Sequence, residues 1–283
     1  MPIDTEKDIA QFKNRLKDLA DKSYKQNSFT FTGFLGLPEQ DIFWQVEKEI
    51  RHVGYTLSGS VSSYTIAANG MPEGGMTATG MTYGTSSEVQ RDRKVIRFGS
   101  VSDLGYEEPF PIVCIHIRPL LAKFADKLSH RDFLGSLMNL GIDRSTLGDI
   151  VVGEKECYLY CLESIADFIC ENLTKIKHTN VKCERVEDGK EIPREEPAEQ
   201  SILVSSERLD GVISKVYQMS RSDALEYFRA KRVFVNGRLC ENNSRTLKSG
   251  DVVNVRGYGK FVYAGVAYET KKGKLNVTVR IFG

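Results

Sequence analysis

Ser220-Arg221-Ser222-Asp223-Ala224-Leu225-Glu226-Tyr227-Phe228-Arg229-Ala230-Lys231-Arg232-Val233-Phe234-Val235-Asn236-Gly237 changes its period halfway along. Ser220 and Asp223 stand at capping-box spacing, each able to satisfy an amide of the first helical turn, and Ala224, Leu225 and Phe228 then supply an apolar stripe at helical spacing. Arg229, Lys231 and Arg232 crowd the C-terminal end of that helix, where cations complement its dipole. Val233-Phe234-Val235 switches to strand alternation, and Asn236-Gly237 is a type I′ hairpin signal because both central positions need positive φ. Upstream, Leu209, Val212, Ile213 and Val216 make the apolar face of a preceding helix, from which Arg208 and Lys215 project together on another side. Downstream, Leu247-Lys248-Ser249-Gly250-Asp251 turns the chain into a strand at Val252 to Val255. Two helices over a small twisted sheet are expected.

Charge singles out the same region. The 283 residues carry 39 Lys plus Arg against 38 Asp plus Glu, a net charge of +1, yet from Ser201 to Gly283 there are 15 basic and 7 acidic residues. A polyanionic partner is therefore expected at this end of the chain. Arg256-Gly257-Tyr258-Gly259-Lys260-Phe261 interleaves cations, rings and glycines, a pattern that lets a phosphate chain approach the backbone while a base or sugar lies on the ring. The bland alternative is that the cations only offset a helix dipole and the glycines form a bulge.

The 41% hydrophobic content supports real cores for about two domains' worth of chain. Met1 to Lys7 lacks the form of a secretory signal, and no apolar run approaches the ~18 residues of a membrane span. The cysteines (Cys114, Cys157, Cys161, Cys170, Cys183, Cys240) fall in strand-like or helix-like runs, which suits a reducing cytosol. A cytoplasmic protein with no membrane contact is expected.

Upstream of the basic region the pattern is mixed α and β. Ile9, Phe12, Leu16 and Leu19 predict a helix over Thr5 to Lys22, and a second should start at Pro38. From Leu57 to Glu88 the Gly, Ser, Thr and Met composition reads as loop, with a short strand at Tyr64 to Ala67. Ile112 to Ile117 reads as a buried strand, and Pro119 is expected to open a helix bearing Leu121, Phe124 and Leu128. A helix capped by Ser129 and Asp132, strands at Asp149 to Val152 and Glu156 to Cys161, a helix from Ser164 to Leu173 and a strand at Lys177 to Arg185 follow. The order β, α-pair, β, β, α, β is that of a ferredoxin-like split βαβ unit, which buries one sheet face under helices and leaves the other to a ligand. Tyr158 and Tyr160 on that sheet either stack bases or simply pack. The expected parts are an α+β N-terminal domain over 1–88, a ferredoxin-like middle domain over 89–186, an acidic, proline-containing linker over 187–200, and a basic domain over 201–283.

Ser206-Glu207-Arg208-Leu209-Asp210, Met219-Ser220-Arg221-Ser222, Val233-Phe234-Val235-Asn236-Gly237 and Leu247-Lys248-Ser249-Gly250-Asp251 together resemble the RNA-binding module named after small-subunit ribosomal protein four, here the S-four module. Ile117-Arg118-Pro119, the stretch Phe124 to Leu137, and Arg256 to Phe261 resemble the YlmH family of bacterial S-four proteins, so the likeness covers roughly residues 110 to 283. The resemblance implies a ribosome-associated RNA-binding protein of translation quality control, monomeric, whose partners are large-subunit ribosomal RNA and an obstructed peptidyl-tRNA. By the family pattern Arg208, Ser220, Arg221, Lys231, Arg232, Arg256 and Lys260 contact RNA, while Asp210 orients the domain internally. The basic surface adds Lys215, Ser222, Arg229, Lys248 and Tyr258, and the helix start at His130 and Arg131 offers a second contact. The N-terminal third departs from the pattern, with Leu57 to Ser63 in place of a Gly-Gly-aromatic stretch.

Enzymatic readings fail on spacing. His130-Arg131-Asp132 lacks the asparagine five residues on that a kinase needs, Gly257-Tyr258-Gly259-Lys260 is not a phosphate-binding loop, and there is no Gly-x-Ser-x-Gly elbow. Arg208-Leu209-Asp210 resembles a pseudouridine synthase motif but lacks the Thr-Ser-Gly that follows it. The dispersed histidines (His52, His116, His130, His178) and cysteines suggest no metal site, and His116 reads as a satisfied core residue. No cofactor or catalytic residue is expected. The alternative is an RNA-modifying enzyme that uses the S-four module to dock.

Overall fold

The computed structural model describes residues 5–58, 64–66, 92–186 and 197–282. They divide into two compact units, one holding the described residues up to 186 and the other those from 197 onward.

In the first unit, α1 (Glu6–Gln26) starts at Thr5, whose hydroxyl accepts the Asp8 amide at 3.1 Å while the Asp8 carboxylate accepts the Thr5 amide at 3.2 Å. Its Leu16 and Ala20 pack with Phe43 and Val46 of α2 (Leu37–Val46) on a four-stranded antiparallel sheet. The strands are β1 (Thr30–Phe31), β2 (Tyr55–Ser58), β3 (Tyr64–Ile66) and β4 (Val95–Phe98), in the order β1-β4-β2-β3. Because β4 pairs with both β1 and β2, the expected boundary after residue 88 moves: Val95–Phe98 belongs to the N-terminal sheet. The loop expected over most of 57–88 lies largely outside the described residues.

After the short helix α3 (Val101–Leu104) the chain forms β5 (Ile112–Pro119), α4 (His130–Asn139), β6 (Leu147–Val152), β7 (Cys157–Leu162), α5 (Glu163–Asn172), β8 (Lys175–Ile176) and β9 (Thr179–Arg185). Sheet order is β6-β7-β5-β9-β8, antiparallel throughout. Phe133 and Leu137 of α4 and Ala166 and Ile169 of α5 bury one face with Ile115, Ile117 and Leu159. The helix expected from Pro119 is absent. Pro119 ends β5 opposite Val181, the Leu120 amide bonds the Asn180 carbonyl at 2.9 Å, and only a 3₁₀ turn, Ala122–Phe124, follows. β7 stops opposite Ile117, so at Pro119 β5 has a strand on one side alone, where a missing N–H is tolerated.

The other face of this sheet is not open. Ile112, Cys114, Tyr158 and Tyr160 pack with Phe34 and Val95 of the N-terminal segment, leaving Tyr158 and Tyr160 only 6% and 4% exposed. Of the two readings left open for them, stacking bases or packing, the burial favours packing, because two apolar faces met and buried each other. The contact is close enough that Gly148 has no room for a Cβ, which would lie 2.7 Å from the Phe34 ring. The N-terminal and middle segments, expected as separate domains, share this core and form one unit.

The second unit contains β10 (Ala198–Val204), α6 (Leu209–Val216), α7 (Arg221–Arg229), β11 (Val233–Val235), β12 (Arg238–Leu239), β13 (Val252–Val255), β14 (Gly259–Glu269) and β15 (Leu275–Phe282). Its sheet runs β10-β15-β14-β13-β11-β12, antiparallel, with both helices on one face over Val253, Phe261, Val277 and Val279. Asn236 and Gly237 take φ of 54° and 72°, as the hairpin between β11 and β12 requires. Two expectations change: the last three residues of the expected 187–200 linker begin β10, and the sheet is six-stranded because the long β14–β15 hairpin adds to it.

Candidate nucleic-acid interface

Asp210 lies in the first turn of α6, 3% exposed, and donors converge on its carboxylate. The Gly211 amide reaches Oδ1 at 2.8 Å, Arg208 bonds both oxygens (Nε at 3.2 Å, Nη2 at 3.0 Å), Arg221 Nη2 reaches Oδ1 at 3.3 Å and Asn243 Nδ2 reaches Oδ2 at 3.3 Å. Burial opposes ionisation here, but the Arg208 hydrogen bonds, the Gly211 amide and the Arg221 charge outweigh it and hold the carboxyl below its ordinary value. Arg208 and Arg221 keep much of their side chains in solvent. Two guanidiniums are therefore fixed from behind and open in front, a geometry suited to phosphate.

Asn243 was not singled out by the sequence. Its segment crosses the start of α6, where the Leu209 and Asp210 amides donate to the Arg245 and Asn243 carbonyls at 2.9 and 3.0 Å. The Asn242-Asn243-Ser244 run signals only a loop, and nothing local reveals which helix that loop meets. Ser220 caps α7: its hydroxyl accepts the Asp223 amide at 3.0 Å and lies 2.7 Å from the Ser222 hydroxyl, both serines being exposed.

A second group gathers beyond the other end of α7. Tyr258 is exposed on the turn between β13 and β14, which Gly257 (φ 98°) and Gly259 (φ 107°) make possible. Its ring lies 5.2 Å from those of both Tyr217 and Tyr227, and its hydrogen bond with Tyr227 raises the Tyr227 phenol pKa. The Arg232 amide donates to the Tyr227 carbonyl and the Arg256 amide to the Arg232 carbonyl, each at 2.9 Å, so the backbone ties two exposed arginines to this group, and the Arg232 charge reaches the Tyr227 phenol. Lys231 is paired with Glu241 at 3.3 Å and Arg229 with Glu226, exposed pairs that give little energy and compete with any other anion.

The remaining expected contacts are scattered. Lys215 is exposed in the last turn of α6, and Lys248 sits on the turn at the opposite end of β13 from Arg256. Lys260 is a correction: it is 7% exposed, with Nζ 5.5 Å from the centre of the Phe282 ring. The run that reads as a solvated loop becomes strand at Gly259, and the pleat carries Lys260 against the sheet.

In the first unit, Ser129 and Asp132 cap α4, and the Asp132 carboxyl, bonded by Lys177 and Ser129, falls to about 2. His130 is in the first turn, its imidazole pKa lowered by desolvation and by the Arg144 charge, so it offers a hydrogen bond rather than a cation at neutral pH. Arg131 beside it is exposed. His116 is held by Glu156 (Nε2 to Oε2, 2.7 Å) and stacks on Tyr158 at 4.6 Å. Burial pushes the Cys161 and Cys183 thiols up to about 12, leaving them neutral packing groups. No helix among the described residues is long and apolar enough to cross a membrane.

Residues 106–190 match the family described as "Putative RNA-binding domain in YlmH". Over 176 residues the chain is 31% identical to the ribosome-associated protein quality control protein P2 of Bacillus subtilis (strain 168). That match takes in 61% of this chain and 66% of the relative, just under two thirds of its length. The solved structure of the cell division protein ylmH from Streptococcus pneumoniae aligns with a TM-score of 0.45 at 14% identity, covering 65% of this chain and 93% of that one.

Proposed function

This chain belongs to the YlmH family, and on that premise we propose that it is an RNA-binding protein that works on the ribosome in translation quality control. In this reading the middle segment is a ferredoxin-like unit, its four long strands ordered β9-β5-β7-β6 under two helices. The last unit is an S-four module whose helices α6 and α7 face RNA. Its target is large-subunit ribosomal RNA beside an obstructed peptidyl-tRNA, and it acts in the cytoplasm as a monomer, by binding rather than by catalysis.

The observation that carries the reading is the Asp210 cluster, in which a buried carboxylate holds the Arg208 and Arg221 guanidiniums in place with their outer edges in solvent. Arginines arranged in this way favour phosphate over a neutral partner, and the rings around Tyr258 add a surface for a base or ribose. Phosphate contacts position a protein on RNA with little sequence information, so Arg131 and the α4 start supply a second contact that helps choose the particle.

The test is sedimentation of the full chain with ribosomal particles. Binding should weaken steeply between roughly 50 and 200 mM salt. Arg208→Ala and Arg221→Ala should leave the particle fraction while remaining folded, with melting lowered only as far as Asp210 loses a partner; cosedimentation equal to the parent's would overturn the assignment. Large subunits carrying peptidyl-tRNA should be preferred to empty ones, and equal binding to both would remove that part of the reading.

A further inference from the structure

The face of the second unit's sheet that points away from α6 and α7 has a surface that none of the expected contacts uses. Ile202, Val204, Val277 and Val279 turn into the core, so Leu203, Asn276 and Thr278, alternating with them, turn outward. Pairing then lines up Leu203, Asn276 and Tyr268 as one row across β10, β15 and β14. Leu203 is 47% and Tyr268 58% exposed. The next row, Ser201, Thr278 and Gly265, is small and polar, leaving a flat floor beside the tyrosine ring.

Cations frame this row. β14 and β15 are joined through Thr270-Lys271-Lys272-Gly273-Lys274, a tight turn closed by the Thr270 amide on the Lys274 carbonyl at 2.7 Å and the Gly273 amide on the Thr270 carbonyl at 2.9 Å. All three lysines are exposed, and their ammonium groups form no ion pair among the described residues. On this face Glu199 lies in register with Arg280, and Glu269, which follows Tyr268 in β14, stands next to the turn. β14 shifts register between Tyr263 and Gly265 and again between Val266 and Tyr268, irregularities of the kind that re-aim side chains.

We infer that this hairpin face is a second RNA-contact surface, taking a single-stranded segment with a base or ribose on Tyr268 and its phosphates on Lys271, Lys272 and Lys274. The inference rests on the RNA-binding reading above and extends it to the side of the sheet opposite the two helices. An exposed aromatic on a sheet, a neighbouring amide and exposed cations at the rim are the elements of sequence-tolerant strand binding. A purely protective role for the lysines, blunting the edge of β14 against other strands, makes a different prediction, because charge would then matter for solubility and not for RNA.

The experiment uses the full chain and a fluorescent single-stranded RNA of mixed sequence. Tyr268→Ala should weaken binding about tenfold, the scale of one lost stacking contact. The triple variant Lys271→Gln, Lys272→Gln, Lys274→Gln should lower the slope of log affinity against log salt by about 2. Both changes are on exposed hairpin residues, and thermal melting at the parent temperature checks that the fold is intact. If the parent binds and both variants match it in affinity and slope, the hairpin surface is overturned while the RNA-binding reading stands. If the parent binds no RNA, that reading falls and takes this one with it. Reduced ribosome association with unchanged RNA affinity would assign the face to a protein partner and overturn the inference.

Discussion

The middle sheet and the last sheet are alike in one respect and opposite in another. Each is antiparallel with two helices on one face; on the middle sheet the other face lies under Phe34 and Val95, whereas on the last it carries exposed Leu203 and Tyr268. Each sheet carries tyrosine on that face, Tyr158 in one and Tyr268 in the other, and both invite the same thought about stacking bases. What separates Tyr158 from Tyr268 is not its own strand but the presence of another apolar segment to cover it. Alternation tells which residues share a face, and only the rest of the chain decides whether that face meets water.

The largest effect should come from uncovering the middle sheet. Phe34 is 1% exposed, and Phe34→Ala should destabilise the first unit by about 3–5 kcal/mol, the range for deleting a buried aromatic. Denaturant unfolding measures it, and a loss near zero would mean that the face is not sealed.

Next in size is the anchor of the last unit. Asp210→Asn should lower RNA affinity about tenfold, because hydrogen bonds to a charged group are the stronger ones and two arginines lose them together. The pH dependence follows from the carboxyl's depressed pKa. The stability it contributes is complete above the unfolded value of about 4 and is lost as pH falls through the lower folded value. Asp210→Asn should therefore flatten the acid limb of the stability profile, and an unchanged limb would show that the clamp adds nothing to folding.

A smaller contrast lies within one short run. Arg256→Ala should reduce the salt slope of RNA binding by just under 1, while Lys260→Ala should leave the slope alone and cost stability instead, since Lys260 lies against Phe282. Equal slopes for the two variants would contradict the assignment of Lys260 to the sheet. The smallest effect is expected from Tyr158→Phe, which should leave RNA affinity unchanged; a measurable loss would reopen the covered face.

Local signals carried much of the fold. Ser129 with Asp132 and Ser220 with Asp223 form the capping boxes their spacing announces, and Asn236-Gly237 makes its hairpin. Pro119 misled because a proline suits a helix start and a one-sided strand end equally well, and only the length of β7 chooses between them. At the candidate interface, Arg208, Arg221, Arg256 and Tyr258 were legible as exposed cations and a ring beside glycines. Asn243 and the burial of Lys260 were not, since both depend on long-range contacts: a loop laid over α6, and the entry of Lys260 into a strand paired with β13 and β15.

The Asp210 cluster also bears on the kinetics of binding. A free arginine must give up rotamer freedom when it grips a phosphate, whereas Arg208 and Arg221 have given up much of theirs on folding, through their bonds to a buried carboxylate. The same carboxylate cancels one of the two positive charges, so long-range attraction at this spot is weaker than a count of arginines implies. On the proposed RNA-binding reading, encounter is steered elsewhere, by cations such as Arg232 and Arg256, while the Asp210 cluster acts after contact by slowing release. Substitutions at Arg208 or Arg221 should accordingly appear in the dissociation rate and those at Arg232 or Arg256 in the association rate.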